Sequence, residues 1–250
     1  MKARLEPGSY IGQGHVDQWL AILAQIDVPL DQEVLVGERK YTIEDWARQA
    51  QWDVSNNPVL EYSWTLMALM HYFPDEQTWQ AKDGKTWDFE PLVEFEAKQD
   101  LTTSPCGGSH RLMGLAHALQ FRRRHGGAIT GGWKLAEEKL QESIRIAREY
   151  QNSDGSFSCN FTERPGQTKD VGASISATGH MLEVLAFALP EEELSQPWVE
   201  RSVVRLCSLL QATRDVDLDC GGLYHSLSGL RIYHKRRFGA WNPEPLPVGP

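Results

Sequence analysis

Cysteine is scarce: four residues in 250, Cys106, Cys159, Cys207 and Cys220, with no CxxC pair among them. Cys207 falls on an apolar helical face and reads as core. Positive charge is short as well. Against 34 Asp and Glu there are 25 Lys and Arg, a net −9, which argues against a general nucleic-acid or acidic-membrane partner. No apolar run approaches the roughly 20 residues that span a bilayer. The opening stretch MKARLEPGSYIGQG has no apolar h-region, so no secretory signal is expected. The expectation is a reduced, cytoplasmic protein with free thiols. The Gly-Gly pairs at 107–108 and 221–222 have no Lys-Ser/Thr behind them. They are not phosphate loops and instead permit tight entry into helices.

What is present is a repeat. The segments GQGHVDQWLAIL, GGSHRLMGLAHAL, ATGHMLEVLAFAL and GLYHSLSGLRIY place His15, His110, His180 and His225 in one frame. A fifth, LEYSWTLMALMHYF, fits with Trp64 in that slot. Position +5 is Leu20, Leu69, Leu115, Leu185 and Leu230, and position +2 is Leu66, Leu112, Leu182 and Leu227. Between these segments lie more amphipathic stretches near 42–52, 89–99, 132–151 and 196–212, with charges interleaved at helical spacing. Gln51, Gln99, Gln151 and Gln211 mark their ends at intervals of 48, 52 and 60 residues. Such periods signal stacked helical hairpins.

Local signals agree. Thr42 with Asp45 forms a capping box, Gly126-Gly127 stops a helix, and Pro190 closes another. EVLVGERKY reads as a small β-hairpin around Gly37-Glu38. The segment QNSDGSFSCNFTERPGQTKDVG is an insertion expected on the surface. The final WNPEPLPVGP is a Pro-rich tail. One domain over residues 1–240, followed by the tail at 241–250, is the expected organisation.

At about 100° per residue, positions +2, +5 and +9 fall near 200°, 140° and 180° from the register position. The leucines then form one stripe and the histidine points away from it. With the leucines packed on the amphipathic helices, the histidines face inward. Position +7 returns to the histidine side with His71 and His117, and +3 adds Glu183. The expected fold class is all-α, an α/α toroid of about five hairpins of inner and outer helices. Its central cavity would hold a small-molecule ligand. The triplets Arg122–Arg124 and Lys235–Arg237 close inner helices, where cations offset the helix dipole; an anion- or partner-binding rim is the alternative.

These residues resemble a known superfamily. YQNSDGSF resembles the Gln–Gly–aromatic repeat of terpenoid cyclases, and LYHSLSGL resembles a segment of protein prenyltransferase β subunits. The likeness covers roughly residues 12–237 as a repeat pattern and implies the α/α toroid. In the prenyltransferases the histidine of the second segment ligates a catalytic zinc, and it matches His225. Thr178-Gly179-His180 is similar to their Asp-Gly-Cys ligand segment, with Thr178 in place of the aspartate and His180 in place of the cysteine. No DxDD acid occurs; Asp215, Asp217 and Asp219 in DVDLD are spaced differently and read as a solvated turn.

The candidate metal ligands are therefore His110, His180 and His225, with Cys106, Cys220 or Glu183, and zinc is the candidate cofactor. The alternative is that the recurring histidines are structural or merely line the cavity. Glu183 and His117 are the candidate acid–base groups. Trp19, Trp64 and Phe187 would meet an apolar ligand or fill a core. The leading functional expectation is a cyclase- or prenyltransferase-like protein that binds or transforms a small molecule, an isoprenoid being the candidate. A non-catalytic protein-interaction module is the alternative, and a carbohydrate-active toroid the third. Homo- or hetero-oligomers remain open.

Overall fold

The structure, a computed structural model, describes residues 1–8 and 12–240. The expected Pro-rich tail lies outside the described residues. Among these, nine α-helices alternate as the sequence pattern requires. The register helices are α1 (Gln18–Gln25), α3 (Ser63–Tyr72), α5 (Ser109–Arg124), α7 (Val171–Ala188) and α9 (Cys220–Phe238). The amphipathic ones are α2 (Ile43–Asp53), α4 (Phe89–Lys98), α6 (Gly131–Glu149) and α8 (Pro197–Ala212). The strands β1 (Glu33–Val36) and β2 (Arg39–Thr42) form the expected hairpin, with Val36 opposite Arg39. A second hairpin, β3 (Thr78–Gln80) with β4 (Thr86–Asp88), pairs Trp79 with Trp87. Its Asp83-Gly84 turn, with Gly84 at φ 76°, uses the left-handed conformation that glycine supplies in hairpin turns.

The two helix types bury differently. Nine of the ten residues of α3 are buried, and so are twelve of the eighteen in α7. A helix apolar all round belongs in a core. By length and composition α7 alone among the described residues passes for a membrane span, yet 67% of that window is buried within the protein. In α2, by contrast, only one face is buried, through Ile43, Trp46, Ala47, Ala50 and Gln51.

Helix ends follow local chemistry. The Thr42–Asp45 capping box is formed in both directions. Asp170 and Asp219 cap α7 and α9 by accepting from the Ala173 and Gly222 N–H groups. After α5, Gly126 turns left-handed at φ 67°, and the Gly127 N–H reaches the Arg122 carbonyl at 2.9 Å. This is a glycine stop that returns orphan donors to orphan carbonyls. Just past α6, the Gln151 side-chain amide donates to the Gly155 and Trp198 carbonyls at 3.1 and 2.8 Å, tying the following loop to the start of α8.

Contacts divide the chain into two compact units. The first comprises Met1–Asp100 with His110–Gln141, and the second Leu101–Ser109 with Glu142–Pro250. In the first, α1 packs on α3 and α2 on α3. In the second, the α7–α9 pair is the most extensive helix contact, with α8 against α7. The leucine stripe is buried in α1, α3, α5 and α7, where Leu20, Leu69, Leu115 and Leu185 are wholly enclosed. It is not buried in α9, where Leu227 is 59% exposed; no further amphipathic helix follows α9 among the described residues.

Candidate functional site

The register residues of each unit meet one another. In the first unit, the rings of His15 and His110 lie 4.5 Å apart, edge to face at 84°. Trp64 packs on both, at 6.0 Å from His15 and 5.2 Å from His110. His15 Nδ1 is 2.8 Å from Glu61 Oε2. One ligand atom each of His15, Glu61 and His110 lies within 4.8 Å of the other two, a grouping able to hold a metal ion. His110 and Glu61 are buried and His15 half-buried.

Several elements position this cluster. His15 sits in the turn before α1, where the Gln18 side chain accepts from the Gly14 and His15 N–H groups at 2.9 and 3.3 Å. Asn57 donates to the Glu61 carbonyl, and Leu60 just before it is left-handed at φ 48°, a strained conformation for a branched residue. Glu96 of α4 ties the rest together. Its fully buried carboxylate accepts from the Tyr62 N–H at 2.6 Å, the Ser63 hydroxyl at 3.0 Å and Arg111 at 2.8 Å. One carboxylate thus holds the residues beside both Glu61 and His110. Burial pushes the Glu96 carboxyl up, opposed by the charge of Arg111 and by these hydrogen bonds.

In the second unit, His225 Nδ1 and Glu183 Oε2 are 2.6 Å apart, with both side chains buried. His180 lies against His225 at 3.9 Å and 31°, nearly face to face. His180 Nδ1 donates to the Ser176 carbonyl at 2.7 Å. Glu183 and His180, at i and i+3 on α7, share a face as the helical spacing demands. Cys106, half-buried, brings its Sγ within 4.8 Å of a His180 ring nitrogen. Its backbone is left-handed at φ 51°.

The remaining candidates have local explanations. His117 is half-buried on α5. Burial first, then the positive charges of Arg124 and His71, push its pKa down to about 3, so it is neutral through the ordinary pH range. Cys220 is exposed at the first residue of α9. Thr178 is fully buried and accepts from the Phe157 N–H at 3.3 Å. Asp215, Asp217 and Asp219 are exposed, as a solvated turn should be. Of the basic triplets, Arg122 lies over the Trp133 ring, Arg123 pairs with Glu137, and Arg236 donates to the Ala186 and Phe187 carbonyls at the end of α7. Of these only Arg236 meets helix-end carbonyls, those of α7; Arg122 and Arg123 meet side chains of α6.

The register histidine sits at different depths in its helix: His15 precedes α1, His110 is the second residue of α5, and His180 lies midway along α7. One expectation changes. The insertion after α6 is not a surface loop throughout. Gly155, Ser156, Phe157 and Ser158 are buried, because Asn152 donates into the loop at Ser156 and Gly166 and Phe157 packs against Trp198. The loop thereby satisfies its own polar groups.

Sequence reasoning missed Glu61, Glu96 and Asp17. Asp17 is buried, accepts from the Thr65 hydroxyl at 2.7 Å, and has its pKa raised by burial. A cavity of about 70 Å³ beside it is far below the roughly 300–1,000 Å³ of a small-molecule site.

Comparison with family models, with characterised proteins and with solved structures finds no match to this chain.

Proposed function

We propose that the protein is a helical-repeat enzyme, of the terpenoid cyclase and prenyltransferase type, that binds and transforms a small molecule with zinc as its cofactor. The observation that carries this reading is the buried Glu183–His225 pair, with His180 against it. Burying a carboxylate and an imidazole costs free energy unless they satisfy each other. A dyad of this kind fixes the imidazole tautomer and supplies a proton donor and acceptor away from water. Glu183 orients His225 through Nδ1, and the two groups together would pass a proton to or from substrate. His117, neutral down to about pH 3, does not act as the proton donor.

An isoprenoid diphosphate is the substrate class to test first, on the resemblance of LYHSLSGL and YQNSDGSF. Titration of the chain's intrinsic tryptophan fluorescence with prenyl diphosphates reports binding, and product analysis reports turnover. The expected result is saturable binding, with turnover falling about 10²- to 10⁴-fold in Glu183→Gln while binding persists. Absence of binding across prenyl chain lengths would exclude isoprenoids, and unchanged turnover in Glu183→Gln would remove the dyad from the chemistry.

A further inference from the structure

The geometry points to His15, Glu61 and His110 as a divalent-metal site, with zinc as its ion. It is built on residues other than those that the prenyltransferase resemblance names. The inference rests on zinc as the cofactor and adds where it is held.

Ring orientation decides between the two histidine pairs. A ring nitrogen's lone pair lies in the plane of its ring, so one ion bound by two histidines must lie in both planes. His180 and His225 stack at 3.9 Å with only 31° between planes. Planes so nearly parallel do not converge within a metal–nitrogen bond length, roughly 2.0–2.1 Å for zinc. The planes of His15 and His110 cross at 84°, with ring centres 4.5 Å apart, so the two planes share a line close to both rings on which one ion could lie. Tetrahedral zinc needs ligand atoms about 3.3 Å apart, from its bond lengths. His15 Nδ1 and Glu61 Oε2 are already at 2.8 Å, and all three ligand atoms fall within 4.8 Å.

The donor set is chemically apt. Two imidazoles and one carboxylate are a composition of catalytic zinc sites, in which a fourth position stays open for water or substrate. The Trp64 indole against both rings supplies an apolar shell that limits solvent access to the site. Glu96 acts as a positioning residue, holding Tyr62, Ser63 and Arg111, each next to a ligand or its helix start. An ion on His15 Nδ1 takes the place of the hydrogen bond to Glu61, and the ring then carries its proton on Nε2.

The test is zinc content by elemental analysis after loading with zinc sulfate and desalting. It compares wild type with His15→Asn, Glu61→Gln, His110→Asn and His225→Gln, each checked for folding by circular dichroism. The expected result is one zinc per chain in wild type and in His225→Gln, and at least a tenfold loss in folded His15→Asn and Glu61→Gln. Zinc lost in His225→Gln but kept in His15→Asn and Glu61→Gln would overturn this site while leaving zinc as the cofactor. A folded wild type that takes up no zinc would overturn both.

Discussion

Removing the Glu96 carboxylate takes away the counter-charge 2.8 Å from Arg111 and the acceptor for the Tyr62 N–H. Breaking a buried ion pair from one side costs about 3–5 kcal/mol, so Glu96→Ala should lower the unfolding free energy by about that much in urea titrations. A change below about 1 kcal/mol would mean that the pair does not hold the first cluster. His117 makes a separate prediction. Its folded-state pKa, about 3, lies below the ordinary 6.5, so the unfolded chain binds the proton first as pH falls. The stability associated with its neutral ring is present above pH 6.5 and lost progressively as pH drops toward 3. In His117→Asn, stability should therefore fall less between pH 7 and pH 4 than in wild type. Parallel curves would mean that burial does not hold the His117 ring neutral. The histidines themselves were legible in the sequence because they repeat. Glu61 was not, since it follows Pro58 in a non-helical stretch and meets His15 across 46 residues, a contact that no periodicity encodes.

At the scale of elements, the register helices approach one another through glycines. A Cβ on Gly114 of α5 would stand 2.8 Å from the Ser63 Cα of α3, and one on Gly229 of α9 would stand 2.9 Å from the Glu183 backbone nitrogen of α7. Both glycines lie four residues after a register histidine. Each one lets the neighbouring helix come close enough for the two units' ring contacts to form. Gly229→Ala should cost about 1–3 kcal/mol from overpacking, measured as a lower melting temperature, with the α7–α9 pair loosened around Glu183 and His225. A neutral effect would contradict the close approach. The helix alternation was readable because apolar spacing and caps act locally. The second hairpin carried its Asp83-Gly84 signal, but its strands are only three residues each, too short for a two-residue period to stand out. The depth of each register histidine in its helix was unreadable, because the start of α7 is set by the Asp170 cap, well before His180.

For the whole molecule, the repeat brings its register residues together within each unit: His15, Trp64 and His110 in the first, His180 and His225 in the second. The two clusters differ in kind. Crossed ring planes in the first suit an ion; stacked rings beside a carboxylate in the second suit a proton. If the first holds zinc in the folded chain only, added zinc raises the melting temperature by mass action, and a chelator reverses the gain. X-ray absorption at the zinc edge of the loaded, folded protein reads the ligands of that ion directly. Zinc held by His15, Glu61 and His110 gives a first shell of nitrogen and oxygen alone, about 2.0–2.2 Å from the metal, with imidazole scattering from two histidines. A sulfur at about 2.3 Å would place Cys106 or Cys220 on the ion and contradict it.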